Sequence, residues 1–228
     1  MQPSAVLRTA VDAAIAAADP AAAVREILSV AAGRVRLAGQ PLTTGDGRLF
    51  VIGAGKAAMP MSAATAAVCG PQITRGAVVG PLAGEAGPIR IHAGSHPVPS
   101  EQTVRATRTV QELCVAATAD DHVLCLLSGG ASSLLTAPAD PLRLADLRAT
   151  TEALLAAGLP IEAVNTVRRH CSAVKGGRLA AACHPAGVTT LAVSDVVGDD
   201  PAAIGSGPTV ADPTTFADAA AVIEDAGV

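Results

Sequence analysis

Apolar segments of strand length that end directly in small, polar turns are the feature that most limits how this chain can fold. The three clearest are residues 48–52 before GAGKA, 122–128 before SGGASS and 187–197 before GDDPAAIG. Shorter apolar runs occupy 76–80 and 89–94, and stretches with helical spacing of apolar residues separate the runs. Wholly apolar strands that alternate with helices are typical of a parallel sheet covered on both faces. The sequence therefore predicts a three-layer α/β/α fold with a mostly parallel sheet.

The helices and turns complete this prediction. Helices are predicted at 4–18, 20–32, from the GAGKA turn to 69, and at 101–118, 143–157, 160–170, 172–183 and 214–226, with a turn-rich segment at 33–47. No internal repeat or low-complexity linker divides the chain, so residues 1–228 are predicted to form one domain. Because a βα pattern normally continues after such a last helix, we expect a second, C-terminal domain that these residues lack.

Composition excludes several classes of protein. The formal net charge is −4, the only aromatic residues are Phe50 and Phe216, and Trp and Tyr are absent. Without a basic surface or aromatic rings that stack on bases, nucleic-acid binding is not expected. No stretch offers about 20 continuous apolar residues, and no signal peptide is visible, so we expect neither membrane association nor export. The five cysteines form no CxxC pair and are read as buried thiols in a reducing cytoplasm.

Two lysines stand out because the other 14 basic residues are arginines. Lys56 lies in GAGKA and Lys175 in VKGGR, so glycines flank both. An ammonium can approach an anionic oxygen more closely than a guanidinium, which favours a functional role over chance retention on the surface. GAGKA is not a Walker A loop and fits only a loose GxGxxA dinucleotide pattern. Tight strand-to-helix packing without a ligand is the alternative explanation of its glycines. The strand at 76–80 has no acidic residue at its end, which counts against NAD.

Three further segments carry candidate site residues. SGGASS at 128–133 could form an anion-binding turn or only cap a helix. The basic stretch NTVRRHCSAVKGGR at 165–178 could bind an anion or be a solvated helix face. The loop at 194–215 holds Asp195, Asp199 and Asp200, whose oxygens suit Mg²⁺ if they do more than cap turns. The loop also contains the small-residue turn SGPT.

Five motifs in this order resemble the glycerate 2-kinases, and they cover nearly all of the chain. They are VIGAGKAAMPMS, GSHPVPSEQT, LLSGGASSLL, NTVRRHCSAVKGGRLA and the segment that begins SDVVGDDPAAIGSGPTVADP. The resemblance is to the Rossmann-like N-terminal domain of that family, whose active site lies in a cleft against a smaller C-terminal domain. It implies transfer of the γ-phosphoryl group of ATP to the 2-hydroxyl of D-glycerate, with Mg²⁺. The family's essential lysine falls on Lys56, whereas its essential arginine lies in the C-terminal domain and has no counterpart here.

The resemblance and the motifs together suggest a role for each candidate residue. The catalytic candidates are Lys56, Arg169 and Asp195, with Asp195 and Asp199 as metal ligands and His96 or Asp195 as the base for the 2-hydroxyl. The substrate- and phosphate-binding candidates are Gly53, Gly55, Ser128, Gly129, Gly130, Ser132, Asn165, Lys175, Gly176, Ser206, Gly207 and Thr209. Two alternatives stay open: a domain that binds glycerate or nucleotide without turnover, and an NAD(P)-linked hydroxypyruvate reductase. Homo-oligomerisation also stays open.

Overall fold

The structure, a computed structural model, describes residues 3–42 and 47–227. The helices are α1 (Pro3–Ala17), α2 (Pro20–Ile27), α3 (Ala58–Cys69), α4 (Glu101–Ala116), α5 (Ala131–Leu134), α6 (Leu144–Ala156), α7 (Ile161–His170), α8 (Arg178–Cys183) and α9 (Phe216–Ala226). The strands are β1 (Leu28–Ala31), β2 (Arg34–Leu37), β3 (Gln40–Pro41), β4 (Leu49–Ala54), β5 (Ile73–Gly80), β6 (Gly84–Ala86), β7 (Ile89–Ala93), β8 (His122–Ser128) and β9 (Gly187–Val193). Short 3₁₀ turns occupy Gly70–Gln72 and Ile204–Ser206.

Six of these strands form the main sheet, in the order β6-β7-β5-β4-β8-β9. All neighbouring pairs are parallel except β6 with β7. The predicted α/β fold with a mostly parallel sheet is confirmed. β4 and β8 lie at the centre and are almost wholly buried, which explains why their sequences are apolar except for His122 and Ser128 at the two ends of β8.

Side chains of β4 alternate between two cores, as the strand period requires. Phe50 and Ile52 pack on one face with α4, α5 and α8, whereas Leu49 and Val51 pack on the other face with α2 and α3. This arrangement is the predicted three-layer architecture. A third, smaller cluster joins α6, α7 and α9 through Leu154, Val164, Val167 and Ala219. Helices α6, α7 and α9 therefore pack on each other, whereas α8 belongs to the core of the main sheet.

The N-terminal region departs from the prediction. The helix predicted at 20–32 ends at Ile27, and β1 takes the place of its last turn. β2 and β3 lie in the segment 33–47, which was predicted to be only turns, and they form an antiparallel sheet with β1. Ala32-Gly33 and Ala38-Gly39 all have positive φ, between 47° and 78°, as a two-residue hairpin turn demands. The two Ala-Gly pairs around RVRL were the overlooked signal. Residues 43–46 of the predicted turn segment lie outside the described residues.

The helix predicted at 172–183 is also shorter than expected, because α8 begins only at Arg178. Gly176 and Gly177 have φ values of 57° and 79°, and two consecutive left-handed residues cannot belong to a right-handed helix. The segment 172–177 is instead a turn held by Ser172, whose hydroxyl accepts from the backbone N–H groups of Val174 and Lys175.

All five cysteines are free thiols, and four of them are buried while Cys171 is half-buried. No helix among residues 3–42 and 47–227 is both long enough and apolar enough to cross a membrane.

A buried carboxylate joins the beginnings of the two central strands. Asp121 accepts hydrogen bonds from the backbone N–H, Nε and Nη2 of Arg48, and from the backbone N–H and hydroxyl of Thr118. Its side chain is only 3% exposed. The Arg48 guanidinium, reinforced by these donors, holds the pKa of Asp121 well below its usual range. Asp121 therefore stabilises the fold as an anion.

We expect Asp121→Asn to lower the free energy of unfolding by about 2 kcal/mol, because charge-assisted hydrogen bonds are lost. A carboxyl whose pKa is depressed by folding stabilises above the pKa of the unfolded chain, and this contribution disappears as the pH falls through the acid range. The variant should therefore lose less stability than the wild type between pH 5 and pH 3 in urea titrations. Asp120→Asn, at the exposed neighbouring position, is the control and should change neither quantity. Equal acid sensitivity of the wild type and Asp121→Asn would contradict this assignment.

Candidate functional site

The two central strands deliver their loops to the same edge of the sheet. After β4 the chain continues toward β5 on one side, and after β8 it continues toward β9 on the other. Ligands of open α/β sheets bind in the crevice that forms where connections diverge in this way. The two loops are bonded to each other: the backbone N–H of Lys56 donates to the carbonyl of Gly129 at 2.9 Å, and that of Ala57 to Ser128 Oγ at 3.0 Å.

Gly53 and Gly55 allow this close approach of β4 to β8. A methyl group at Gly53 would lie 2.0 Å from the carbonyl oxygen of Leu126, and one at Gly55 would lie 2.0 Å from Ser128 Oγ. Their φ values of 150° and 146° are also unfavourable for other residues. The loose dinucleotide pattern in GAGKA thus has a packing explanation, which was one of the two alternatives left open by the sequence.

Lys56, His96 and Asp195 converge above the two glycines that follow β8. A methyl group at Gly130 would lie 2.9 Å from His96 Cδ2 and 3.2 Å from Lys56 Cε, and one at Gly129 would lie 2.4 Å from Asp195 Oδ2. These three side chains come from three separate loops, after β4, after β7 and after β9. The structure therefore brings a cation, an imidazole and a carboxylate to the same glycine turn.

The surroundings of His96 favour the neutral form of its imidazole. Partial burial lowers its pKa, the nearby Lys56 ammonium lowers it further, and the Asp195 carboxylate opposes this change. A neutral imidazole has a nitrogen that can accept a proton, which an imidazolium lacks. His96 therefore has the protonation state that a general base needs near neutral pH.

A cleft of about 440 Å³ opens beside this turn. The predicted site residues that line it are His96, Ser128, Gly129, Gly130, Ser132, Asn165, Arg169 and Asp195. Lys56 is not among the lining residues and reaches the cleft only through its approach to Gly130. Beneath its floor a chain of polar groups links three segments: Ser206 Oγ contacts Ser132 Oγ at 2.9 Å and donates to Asn165 Oδ1 at 3.2 Å. Ser206 is fully buried and has a φ of 62° between two left-handed glycines. Ser206 thus positions the cleft residues Ser132 and Asn165 from below.

Arg169 reaches the cleft but already has a carboxylate partner. Its Nε lies 2.8 Å from Asp212 Oδ1, and its side chain is 7% exposed. Arg169 Nη2 also donates to the hydroxyls of Thr166 and Thr214 at 3.3 Å. Because Asp212 neutralises it, Arg169 offers less charge to a phosphate than the sequence alone suggested. Its neighbour Arg168 also lines the cleft and forms no ion pair among the residues that the structure describes.

Other predicted residues lie away from the cleft. Asp199 and Thr209 line a separate cavity beside β9, and Thr209 Oγ1 contacts Thr190 Oγ1 at 2.8 Å. Gly176 and Gly207 join two turns, since the N–H of Gly176 donates to the carbonyl of Ser206 and that of Gly177 to the carbonyl of Gly207. Lys175 lines yet another cavity, behind the cleft.

The donor set at the cleft fits Mg²⁺ only with help from a substrate. Asp195 and Asp200 line the cleft, whereas Asp199 lines a different cavity. No group of three or more His, Cys, Asp or Glu residues within the described ranges could hold a metal ion. Mg²⁺ commonly takes one or two carboxylates together with phosphate oxygens and waters. Asp195 could be one such ligand, so magnesium binding stays a prediction that concerns this carboxylate.

The sequence offered His96 only as an alternative base, and it favoured Arg169 over Arg168 as the catalytic cation. No spacing rule joins His96 to Lys56, because the contact depends on how the loop after β7 crosses that after β8. The neighbouring arginines lie on different faces of α7, and only the position of the segment before α9 decides that Arg169 is the one that meets Asp212.

We expect Gly130→Ala to disturb this turn in a way that backbone strain alone does not explain. Gly130 and Gly158 both have positive φ, 83° and 72°, but a methyl group at Gly158 would meet no atom within 4 Å. Alanine at either position should cost about 1 kcal/mol of unfolding free energy. Only Gly130→Ala should also shift the NMR resonances of the His96 ring, assigned with His96→Gln. Unchanged His96 resonances in Gly130→Ala would show that these groups do not meet at Gly130.

Buried Lys175 leads to a second prediction. Its ammonium is 4% exposed, and burial, aided by the charge of Arg168, lowers its pKa to about 7. Above this pH the unfolded chain retains a proton that the folded chain has lost, so stability should rise with pH up to about 10, by at most about 1.4 kcal/mol per unit. Lys175→Met should abolish the rise in urea titrations, whereas Lys56→Met, at the exposed lysine, should keep it. A rise that persists in Lys175→Met would assign it to another group.

Comparison with known proteins places this geometry in a family. Residues 6–228 match the family described as "Domain of unknown function (DUF4147)". A protein of Agrobacterium vitis named "Putative hydroxypyruvate reductase" is 46% identical over 98% of this chain and 48% of its own length. The D-glycerate 2-kinase of Thermotoga maritima is 44% identical over 79% of this chain and 44% of its own length. The chain thus spans about half the length of the curated relatives it matches.

A solved structure has the same fold. The crystal structure of the PH0495 protein from Pyrococcus horikoshii superposes with a TM-score of 0.86 and 35% identity, over all of this chain and 52% of that chain. Together with the kinase from Thermotoga maritima, it confirms the likeness that the five sequence motifs indicated.

Proposed function

This chain belongs to the DUF4147 family, with relatives named glycerate 2-kinase, and we propose that it forms the N-terminal half of an ATP-dependent D-glycerate 2-kinase. The reaction would transfer the γ-phosphoryl group to the 2-hydroxyl of D-glycerate and give 2-phosphoglycerate. The observation that carries this proposal is the convergence of Lys56, His96 and Asp195 above Gly129 and Gly130.

The charges of the site suit an acceptor with a hydroxyl beside a carboxylate. Lys56 is exposed and its side chain lies beside Gly130. From there its ammonium can bind the carboxylate of glycerate or the transferring phosphoryl group. Phosphoryl transfer depends mainly on positioning and charge neutralisation, so the positive charge of Lys56 beside the transferring group would favour the reaction. Ser128 fixes the lysine's loop by accepting from the N–H of Ala57. This bond fixes the backbone of the loop from which the Lys56 side chain extends toward Gly130.

Neutral His96 can take the proton of the 2-hydroxyl as the oxygen attacks phosphorus. Its Nε2 edge faces Gly130, because a methyl group there would lie 3.1 Å from this nitrogen. Asp195 lies across the same turn, and its negative charge favours the imidazolium that forms when the proton arrives. Mg²⁺, when bound with ATP, would supply charge neutralisation between the phosphate oxygens.

The name of the Agrobacterium relative makes hydroxypyruvate reduction the second candidate. The end of β5 argues against it, since Gly80 is followed by Pro81 and Leu82 instead of an acidic residue for the ribose of NAD. A third candidate is a domain that binds glycerate or nucleotide without turnover.

One set of assays separates the three. The chain is tested alone and mixed with the separately expressed C-terminal half of the Thermotoga maritima kinase, for ADP release with D-glycerate and for NADH oxidation with hydroxypyruvate. We expect negligible turnover by the chain alone, glycerate-dependent ADP release in the mixture, and no NADH oxidation. NADH oxidation would support the reductase, and binding of D-glycerate without ADP release would support the non-catalytic domain.

Lys56→Arg tests the central residue of the proposal. The charge is kept, but a planar guanidinium should not fit above Gly130, so ADP release in the mixture should fall at least tenfold, equal to about 1.4 kcal/mol or more in the barrier. Arg75→Lys, at an exposed position on β5, is the control and should leave the rate unchanged. A Lys56→Arg variant that keeps more than about a tenth of the rate would remove Lys56 from the catalytic residues.

A further inference from the structure

A second cavity, of about 330 Å³, lies behind the cleft. Its walls come from α6, α7 and the loop 97–99, and they are mainly apolar, with Val98, Leu147 and Leu155 among them. The loop is fixed in place, since Ser133 Oγ donates to the carbonyl of Pro97 at 2.6 Å and the guanidinium of Arg148 donates to that of Pro99. The cavity is therefore preformed, which is typical of small-molecule sites.

The cavity and the cleft are neighbours with shared walls. Ser132, Ser133 and Arg168 line both spaces, and the apolar residues of α6 line only the second. A ligand that occupied both would have its polar part at the shared residues and its apolar part against α6. The two spaces thus have opposite chemical character with a polar junction between them.

Two cations stand at this junction without a counter-ion. Lys175 Nζ donates to the carbonyl of Leu135 at 2.6 Å, and among the described residues neither Lys175 nor Arg168 forms an ion pair. The two lie close enough for Arg168 to disfavour the charged form of Lys175. A buried basic group keeps its charge most readily when an anion pairs with it, and the positions of Lys175 and Arg168 would place that anion in the ligand.

We propose that this second cavity binds the nucleoside end of ATP, an inference that rests on the proposed kinase function. The base would lie against Leu147 and Leu155 on α6, and the phosphate chain would pass Arg168 and Lys175 into the cleft beside Asp195. D-glycerate is too small and too polar for walls of this kind. A nucleotide has a planar base, which suits the apolar cavity, and an anionic phosphate chain, which suits the basic residues at the junction. Thr150 and Thr151 offer hydroxyls for the edges of the base.

Cys171 provides a probe that needs no substitution. It lines the cavity and is half-buried, whereas the other four cysteines are buried. Iodoacetamide should therefore modify Cys171 first, at a rate measured by mass spectrometry of peptides from the 228-residue chain. We expect ADP and AMP at millimolar concentration to slow its modification at least fivefold, and D-glycerate to leave the rate unchanged. Modification at an equal rate with and without AMP and ADP would overturn the proposal.

A substitution that fills the cavity gives an independent test. Thr151→Trp places an indole inside the cavity, and Ala149→Trp places the same group on the exposed side of α6. Titration calorimetry should show at least a tenfold weaker binding of ADP by Thr151→Trp and unchanged binding by Ala149→Trp. D-glycerate should bind equally well to both variants and to the wild type, which also shows that the cleft is still folded.

The outcomes separate the inference from the proposed function. Wild-type affinity for ADP in a folded Thr151→Trp would place the nucleoside elsewhere, even if glycerate-dependent ADP release in the mixture upheld the kinase. Protection of Cys171 by inorganic phosphate as strong as that by AMP would reduce the cavity to an anion site, and would overturn the inference in the same way. Loss of kinase turnover with nucleotide protection intact would overturn the proposed function alone.

Discussion

The contact between the loops that follow the two central strands determines much of this structure. Gly53 and Gly55 let β4 approach β8 so closely that any side chain there would collide with Leu126 or Ser128. Backbone hydrogen bonds from Lys56 and Ala57 then join the first loop to the second. Because the connections from these strands turn in opposite directions, a crevice opens between them, and Lys56 lies beside Gly130 at this edge of the sheet.

Two buried ionisable side chains, Asp121 and Lys175, differ sharply in how many partners they have. At the beginning of the central strands, Asp121 is satisfied by Arg48 and Thr118 and has only a structural role. At the opposite edge, Lys175 has a single carbonyl partner and a neighbouring cation. A fold gains nothing from leaving a buried ammonium in this state, since burial disfavours the charged form. Such a site is where a ligand would be expected to supply the missing anion.

The sequence predicted the sheet because its signal is local. The interior of a strand buried on both faces has to be apolar, as in residues 123–127, and a glycine turn at its end is visible in the sequence itself. The N-terminal hairpins were missed because Ala-Gly turns are a weaker signal than Asn-Gly or Asp-Gly turns. The helix expected at 172–183 was shortened by Gly176 and Gly177, whose left-handed backbone depends on bonds to Ser206 and Gly207.

The sequence by itself determined the apolar strands, the glycine turns after them and the five motifs that identify the family, since each depends on residues adjacent in the chain. Only the tertiary structure decided which side chains meet: His96 joins Lys56 and Asp195, Arg169 is neutralised by Asp212, and Asp199 lies apart from Asp195. The physical reason is that the contacts of His96 and of Arg169 join segments far apart in the chain, whose relative positions are fixed by strand order and helix packing. Spacing along the chain carries no information about them.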